Sequence, residues 1–213
     1  MERQRLACSD DEHTRIVAAT NLSFSQDDRA GWTRGPEMGD DACDNTDIPL
    51  GFTYTGFGAS TSVVRVSSNG VLFFGSTCSS SLANSALPSS ISSVPVLFFF
   101  WDDLHDYGGN EYYEYTTMGT AGGRVFMLWY QTRIHSACDT DLVRVMIQIF
   151  EGSNLVQAVY HPTSSCARIR GSSATFGFQT AGGLSAQAVI VGHNSPVVDD
   201  NGGKQFMSFH PPR

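Results

Sequence analysis

The sequence has little charge, few helix-favouring stretches and no long apolar run. Charged residues make up 16% of the 213-residue chain, with 13 lysines and arginines against 21 acidic residues. The net charge of -8 argues against nucleic acid as a partner, because phosphate contacts need a basic surface. It argues equally against an anionic membrane surface and makes cations more natural partners. The longest apolar run, Val94 to Trp101, is strand-sized, far short of the roughly 18 residues of a membrane-spanning helix. The first residues, beginning Met1-Glu2-Arg3, contain no apolar core, so no signal peptide is read in this chain. The C-x-x-C, H-E-x-x-H and G-x-S-x-G patterns are missing, as is any strand–GxGxxG–helix context. Those absences exclude a zinc ribbon, a zincin, a hydrolase nucleophile elbow and a dinucleotide cradle.

What remains is 41% hydrophobic, too apolar for a disordered chain. Runs rich in Val, Phe, Tyr, Thr and Ile alternate with Gly, Ser, Asn and Asp clusters, the pattern of an all-β protein. Strands are predicted at Thr14–Phe24, Ile48–Thr55, Ser62–Ser67, Val71–Gly75, Val94–Trp101, Glu111–Thr117, Arg124–Arg133, Leu142–Glu151, Leu155–His161, Ala174–Gln179, Ala186–Val191 and Gln205–His210. Their number and spacing predict an antiparallel β-sandwich or jelly roll of about 10–12 strands. One domain over residues 1–213 is expected, with 1–13 as a loosely ordered N-terminal segment.

Three hairpins can be argued individually. Asn69-Gly70 signals a tight type I′ turn, which needs positive φ at both positions. Thr120–Gly123 joins two strands, and Glu151-Gly152-Ser153-Asn154 joins two more. A turn centred between Gly152 and Ser153 opposes residues whose numbers sum to about 305. That register brings Cys138 near Arg168 and so near Cys166, within reach of a disulfide. Cys43 and Cys78 flank the first strand pair and are the second expected bridge, leaving Cys8 as the odd thiol or as an intermolecular link to something outside this chain. All five cysteines lie in polar loop contexts, which favours disulfides and a secreted protein over buried free thiols.

Ile48-Pro-Leu-Gly-Phe-Thr-Tyr54, Val66-Ser-Ser-Asn-Gly-Val-Leu-Phe-Phe-Gly75, and Pro95 through Phe100-Trp-Asp-Asp-Leu104 form a recurring pattern. Gly123-Arg-Val-Phe-Met-Leu-Trp-Tyr130 and Val145-Met-Ile-Gln-Ile-Phe-Glu-Gly152 complete it. Together they resemble an extracellular module common in large secreted bacterial proteins and similar to the nidogen-like extracellular domain. The resemblance spans roughly Asp40 to Gln179. It implies a β-sandwich of cell-surface, matrix or adhesion proteins, generally without an activity of its own. The chain departs from the pattern in its cysteines and in Phe99-Phe100, where Pro-Phe is usual.

Candidate sites lie in the loops. Asp40, Asp41, Asp44 and Asp47 form the densest acidic cluster, and Asp102 and Asp103 end the buried strand. Such carboxylates suit calcium, which takes six to eight oxygens, or serve as hydrogen-bonded turn caps. No cofactor is required, and calcium is the candidate. His105, beside Asp103 and Asp106, is the histidine with a conceivable metal role. Tyr107, Tyr112, Tyr113 and Tyr115 could stack on sugar rings or pack within strands, Tyr113 and Tyr115 sharing one face and Tyr112 the other. Glu111, Glu114 and Glu151 are the carboxylates that a glycosidase pair would draw on. Asn21-Leu22-Ser23 is an N-glycosylation sequon.

The leading expectation is a non-enzymatic extracellular or cell-surface β-sandwich acting in adhesion or self-assembly. Its partners would be other extracellular proteins or copies of itself, without membrane insertion. A calcium-assisted carbohydrate-binding module is the alternative, and a glycan-active enzyme the third reading.

Overall fold

A computed structural model describes residues 29–43, 45–105, 111–135, 138, 141–161, 164–183, 186–198 and 208–210, and the backbone of 14–18 and 205–207. Among the described residues the chain forms β1 (Thr14–Ala18), β2 (Thr33–Arg34), β3 (Ile48–Gly56), β4 (Ala59–Ser67), β5 (Val71–Phe73), β6 (Val96–Trp101), β7 (Leu104–His105), β8 (Tyr112–Met118), β9 (Val125–Ile134), β10 (Val143–Phe150), β11 (Val156–Tyr160), β12 (Thr175–Gln179), β13 (Ala188–His193) and β14 (Gln205–Phe209). Each strand expected from the sequence has a counterpart, and of the expected Thr14–Phe24, residues 19–24 lie outside the described residues. β2 and β7, two residues each, are additions too short to leave a periodic signal.

The strands build two antiparallel sheets. One runs β1-β14-β11-β10-β9-β8-β2, with β7 beside β9, and the other runs β13-β12-β6-β5-β4-β3. Their inner faces enclose the main core. β3 shows how the sequence dictates this: Ile48, Leu50, Phe52 and Tyr54 are buried, while the residues between them are exposed. That period of two is what a strand with one wet face requires.

β6 breaks this rule, because all six of its residues are buried. Leu97, Phe99 and Phe100 enter the main core, while Val96, Phe98 and Trp101 belong to a second cluster with Val71, Phe73 and Leu87 on the outer face. Residues 76–95 fold over that face as a cover. Trp101 donates its indole N–H to Ser81 O at 2.8 Å, and the Gln179 amide exchanges hydrogen bonds with the Ser89 backbone. Asn84 ties the same cover to Ser173, Thr175 and Asn194. Each large apolar side chain sealed beneath it contributes about 1.5–3 kcal/mol. The outer face of the other sheet carries Met127, Trp129, Met146 and Val159, with Trp32 and Tyr112 against them. There the Arg29 guanidinium lies 4.3 Å over Trp129, and that of Arg34 lies 4.4 Å over Tyr112.

The first hairpin differs from the sequence expectation. Ser67 pairs with Val71, so its loop holds three residues, Ser68, Asn69 and Gly70. Gly70 alone has positive φ, at 73°, and its N–H returns to Ser67 O at 3.3 Å. This is a type I turn closed by a left-handed glycine, the usual three-residue solution. The reason lies in Asn69, which is fully buried. Its side chain donates to Asp41 Oδ1 at 2.9 Å and to Ser80 O at 3.1 Å, and accepts from Leu104 N at 2.9 Å. It acts as a three-way tie. Gly70 O in turn accepts from both Phe99 N and Phe100 N, at 3.2 and 3.1 Å. That bulge turns both rings into one core, against Tyr130 and Phe176. At Phe99, where the pattern usually has proline, the N–H supplies one of two donors to the same oxygen, which a proline would lack.

The Glu151–Asn154 loop joins β10 to β11, with Val145 opposite Tyr160, the register that sums to 305. Cys138 is bonded to Cys166 with Cα atoms 6.5 Å apart, and Cys43 to Cys78 at 6.0 Å. At this end of the sandwich Arg124 forks onto Glu151, Nε to Oε2 at 2.9 Å and Nη2 to Oε1 at 2.6 Å. The backbone N–H groups of Gly122 and Arg124 also donate to Oε2, and Arg124 Nη1 donates to Gly51 O of β3. Two turns of one sheet are thereby fastened to an edge of the other. The Arg124 side chain, helped by these N–H groups, lowers the Glu151 carboxyl from 4.5 to about 2. A depressed carboxylate stabilises the fold above its unfolded value and loses that contribution as pH falls through the folded one. Glu151→Gln should therefore melt below wild type at pH 6, and the gap should narrow between about pH 4.5 and 2. Thermal melts of both proteins across that range test this, and a pH-independent gap would refute it.

Candidate functional site

The carboxylates expected as metal ligands separate into two groups. Asp40 and Asp41 sit in the turn before Cys43, which bridges to Ser67. Ala42 and Ser68 exchange backbone and hydroxyl hydrogen bonds, which fixes that turn against the Asn69 loop. Asp103 follows β6, and its carbonyl accepts from His135 N at 2.9 Å. One oxygen each from Asp40, Asp41 and Asp103 lie within 4.8 Å of one another. His105 Nδ1 lies 3.0 Å from Asp40 Oδ1, and its ring meets His135 edge-on at 5.3 Å. Burial, together with the charges of Asp41, Asp40 and Asp102, raises the Asp103 carboxyl above its ordinary range, while His135 opposes that shift. Three carboxylates with a histidine edge can offer part of a calcium shell, the other oxygens coming from backbone and water.

The other candidates are engaged elsewhere. Asp47 accepts from Arg65 Nε at 2.7 Å and Ser76 Oγ at 2.8 Å, contacts that lower its carboxyl. Asp102 is buried and capped by the Ser173 hydroxyl, with Arg168 at 3.8 Å. It ties the end of β6 to the approach of β12 and is not one of the carboxylates that converge with Asp40. Asp44, Asp106, Tyr107, Asn21 and Cys8 lie outside the described residues.

The tyrosines do not form one exposed platform. Tyr113 is fully buried, and its ring lies so close to Gly35 that a Cβ there would fall 2.0 Å from it. Tyr115 packs against the same core. Tyr112 lies on the opposite face, its hydroxyl 3.1 Å from Arg29 and its ring under Arg34. Buried Tyr113 has no face to offer a sugar. The three glutamates are likewise occupied: Glu114 by Arg29 at 2.9 Å, Glu111 by Arg133 at 3.4 Å and Glu151 by Arg124. A pocket lined by Phe100, Val143, Tyr160 and Ile169 holds about 10 Å³, room for one water.

Beneath these surfaces lies what sequence reading missed. Buried Tyr130 donates its hydroxyl to Ser68 O, and buried Tyr160 donates to Phe99 O at 2.6 Å. Burial pushes both phenols well above their ordinary range. With Asn69, Gly70 and Leu104 they form a polar spine that connects the recognisable motif fragments to one another. Arg124 and Glu151, from the two later fragments, meet in the same way.

The sequence matches the family described as NIDO related over residues 14–211. The chain belongs to the NIDO-related family. No curated protein and no solved structure matches it. NIDO-related membership and two disulfides support an extracellular β-domain. Among the described residues no helix is long and apolar enough to cross a membrane. The motif residues of this NIDO-related chain are spent on its interior, so its loops and sheet edges carry the available chemistry.

Proposed function

We propose that this chain is a non-catalytic extracellular module that works through its outer surface, in adhesion or in assembly with copies of itself. The observation that carries this reading is the engagement of Glu111, Glu114 and Glu151 by three separate arginines. A glycosidase needs two carboxylates facing each other across an open cleft. Incubation of the oxidised full chain with a panel of polysaccharides should release no reducing sugar above buffer. Release that disappears in Glu151→Gln would overturn the reading.

A second reading, calcium-assisted glycan binding, is favoured by the convergence of Asp40, Asp41 and Asp103. Like charges at this spacing repel, and a divalent cation would relieve them. Calcium should raise the melting temperature of the wild-type protein, and Asp103→Asn should abolish that rise. In a chelator Asp103→Asn should melt above wild type, because it removes one of the repelling charges. Equilibrium dialysis with calcium and paired thermal melts check both outcomes, and equal calcium responses would reject the site.

A further inference from the structure

Among the described residues four strands end the main paths of the two sheets, and three of them are guarded. β2 is two residues long, and β1 carries Arg15. β3 contains Pro49, and its outward backbone is capped from the other sheet: Leu50 O by Thr117 Oγ1 at 2.8 Å, Gly51 O by Arg124 and Thr55 N by Asn154 Oδ1 at 3.4 Å. Proline, charge, brevity and covering groups are the usual devices that stop an edge from pairing.

Among the described residues β13 shows no proline, no charged side chain and no group capping the backbone of Ala188 or Ile190. It is six residues long and, among the described residues, pairs only with β12. Its Ile190 is 51% exposed. No Lys, Arg, Asp or Glu occurs from Gly171 to Val198, nor from Val66 to Trp101. Those two stretches build β5, β6, β12, β13 and the cover over residues 76–95, where Leu82 is also 41% exposed. In a chain with net charge -8 these strands themselves carry no formal charge, while Arg168 and Arg170 border them at Ser173 and Val198. Copies of such a chain repel across most orientations, and strands without charge add nothing to that repulsion.

We infer that the β13 edge joins a second copy of this chain, antiparallel about a two-fold axis at Val189. The inference deepens the assembly reading above and rests on it. Val189 O points at Gly177 in β12, so the alternating pattern turns the peptide groups of Ala188 and Ile190 outward. Pairing about Val189 sets Ala188 of each copy opposite Ile190 of the other. The small side chain makes room for the large one, and each exposed Ile190 loses water contact. The interface is self-complementary, as a two-fold contact must be.

Charge exchange at position 190 tests this on the full chain. The two residues at 190 are diagonal neighbours across the proposed pair, within reach of long side chains. Sedimentation equilibrium should show wild-type dimers, with Ile190→Lys and Ile190→Glu each weakening self-association by about tenfold or more. An equimolar mixture of the two variants should recover it. Hydrogen exchange on wild type should show protection at Ala188 and Ile190 that grows with protein concentration. A wild-type monomer at every concentration would overturn the second copy as occupant, while adhesion to another protein would stand. Association unchanged in both variants, weakening without recovery in the mixture, or concentration-independent exchange would overturn β13 as the joint, while self-assembly through another surface would stand.

Discussion

Gly70→Ala should leave little folded protein. Two costs combine at this position. The residue sits at φ 73°, a left-handed conformation that costs an alanine roughly 1–2 kcal/mol. The added Cβ would lie 2.0 Å from Phe100 O and 2.5 Å from Phe100 C, with Leu104 Cδ1 at 3.1 Å. Backbone cannot step aside as a flexible side chain can. The bulge at Phe99 and Phe100 is built on Gly70 O, so relief of the clash would break both hydrogen bonds and displace two core rings. The combined loss should reach about 4 kcal/mol or more, within the exceptional range for one substitution. Gly122→Ala is the matched control. It has φ 92° with nothing within 4 Å of the added carbon, so about 1–2 kcal/mol is expected. Urea unfolding of both variants decides the matter. Equal losses would mean that backbone conformation, rather than the close approach to β6, accounts for the glycine.

Removal of the Cys43–Cys78 bridge should cost about 3–4 kcal/mol by loop entropy, given its sequence separation of 35. Cys138–Cys166, with a separation of 28, should cost nearly as much. The two losses should differ in kind. Cys78 lies in the cover and packs with Ile91 and Val94 against the outer cluster of β5 and β6. Without its bridge the cover keeps its ties at Asn84, Ser89 and Ser81 but loses its covalent anchor to the Asp41 turn. Cys43→Ala/Cys78→Ala should therefore open first to proteolysis within residues 76–95, and the Trp101 emission should shift to the red. Cys138→Ala/Cys166→Ala should fall in stability without either change. Resistance to cleavage in the first double variant would show that the hydrogen bonds alone hold the cover.

The strands were legible because period two and turn residues are local signals. The 305 register was legible for the same reason: one well-placed turn determines every pair in its hairpin. Long-range polar contacts were not. Asn69-Gly70 read as a turn, and only the fold shows Asn69 reaching Asp41, Ser80 and Leu104 at once. The run at β6 read as a buried strand, yet nothing in it told that residues 76–95 supply its second cover. The division of Tyr112 from Tyr113 and Tyr115 between faces was legible from period two, but the arginines over Tyr112 were not. Of the acidic loops, Asp40 and Asp41 met Asp103, whereas Asp47 and Asp102 were drawn to Arg65 and to Ser173 with Arg168. Loop carboxylates are positioned by whichever partner the fold brings near, and a one-dimensional pattern carries no record of that.

Surface association without catalysis is the centre of this account. Sedimentation velocity of the oxidised full chain over a wide concentration series, with chelator present and with soluble glycans added, measures it directly. The account predicts reversible, concentration-dependent association that neither addition changes. A strict monomer at the highest concentration, accompanied by glycan turnover, would contradict it.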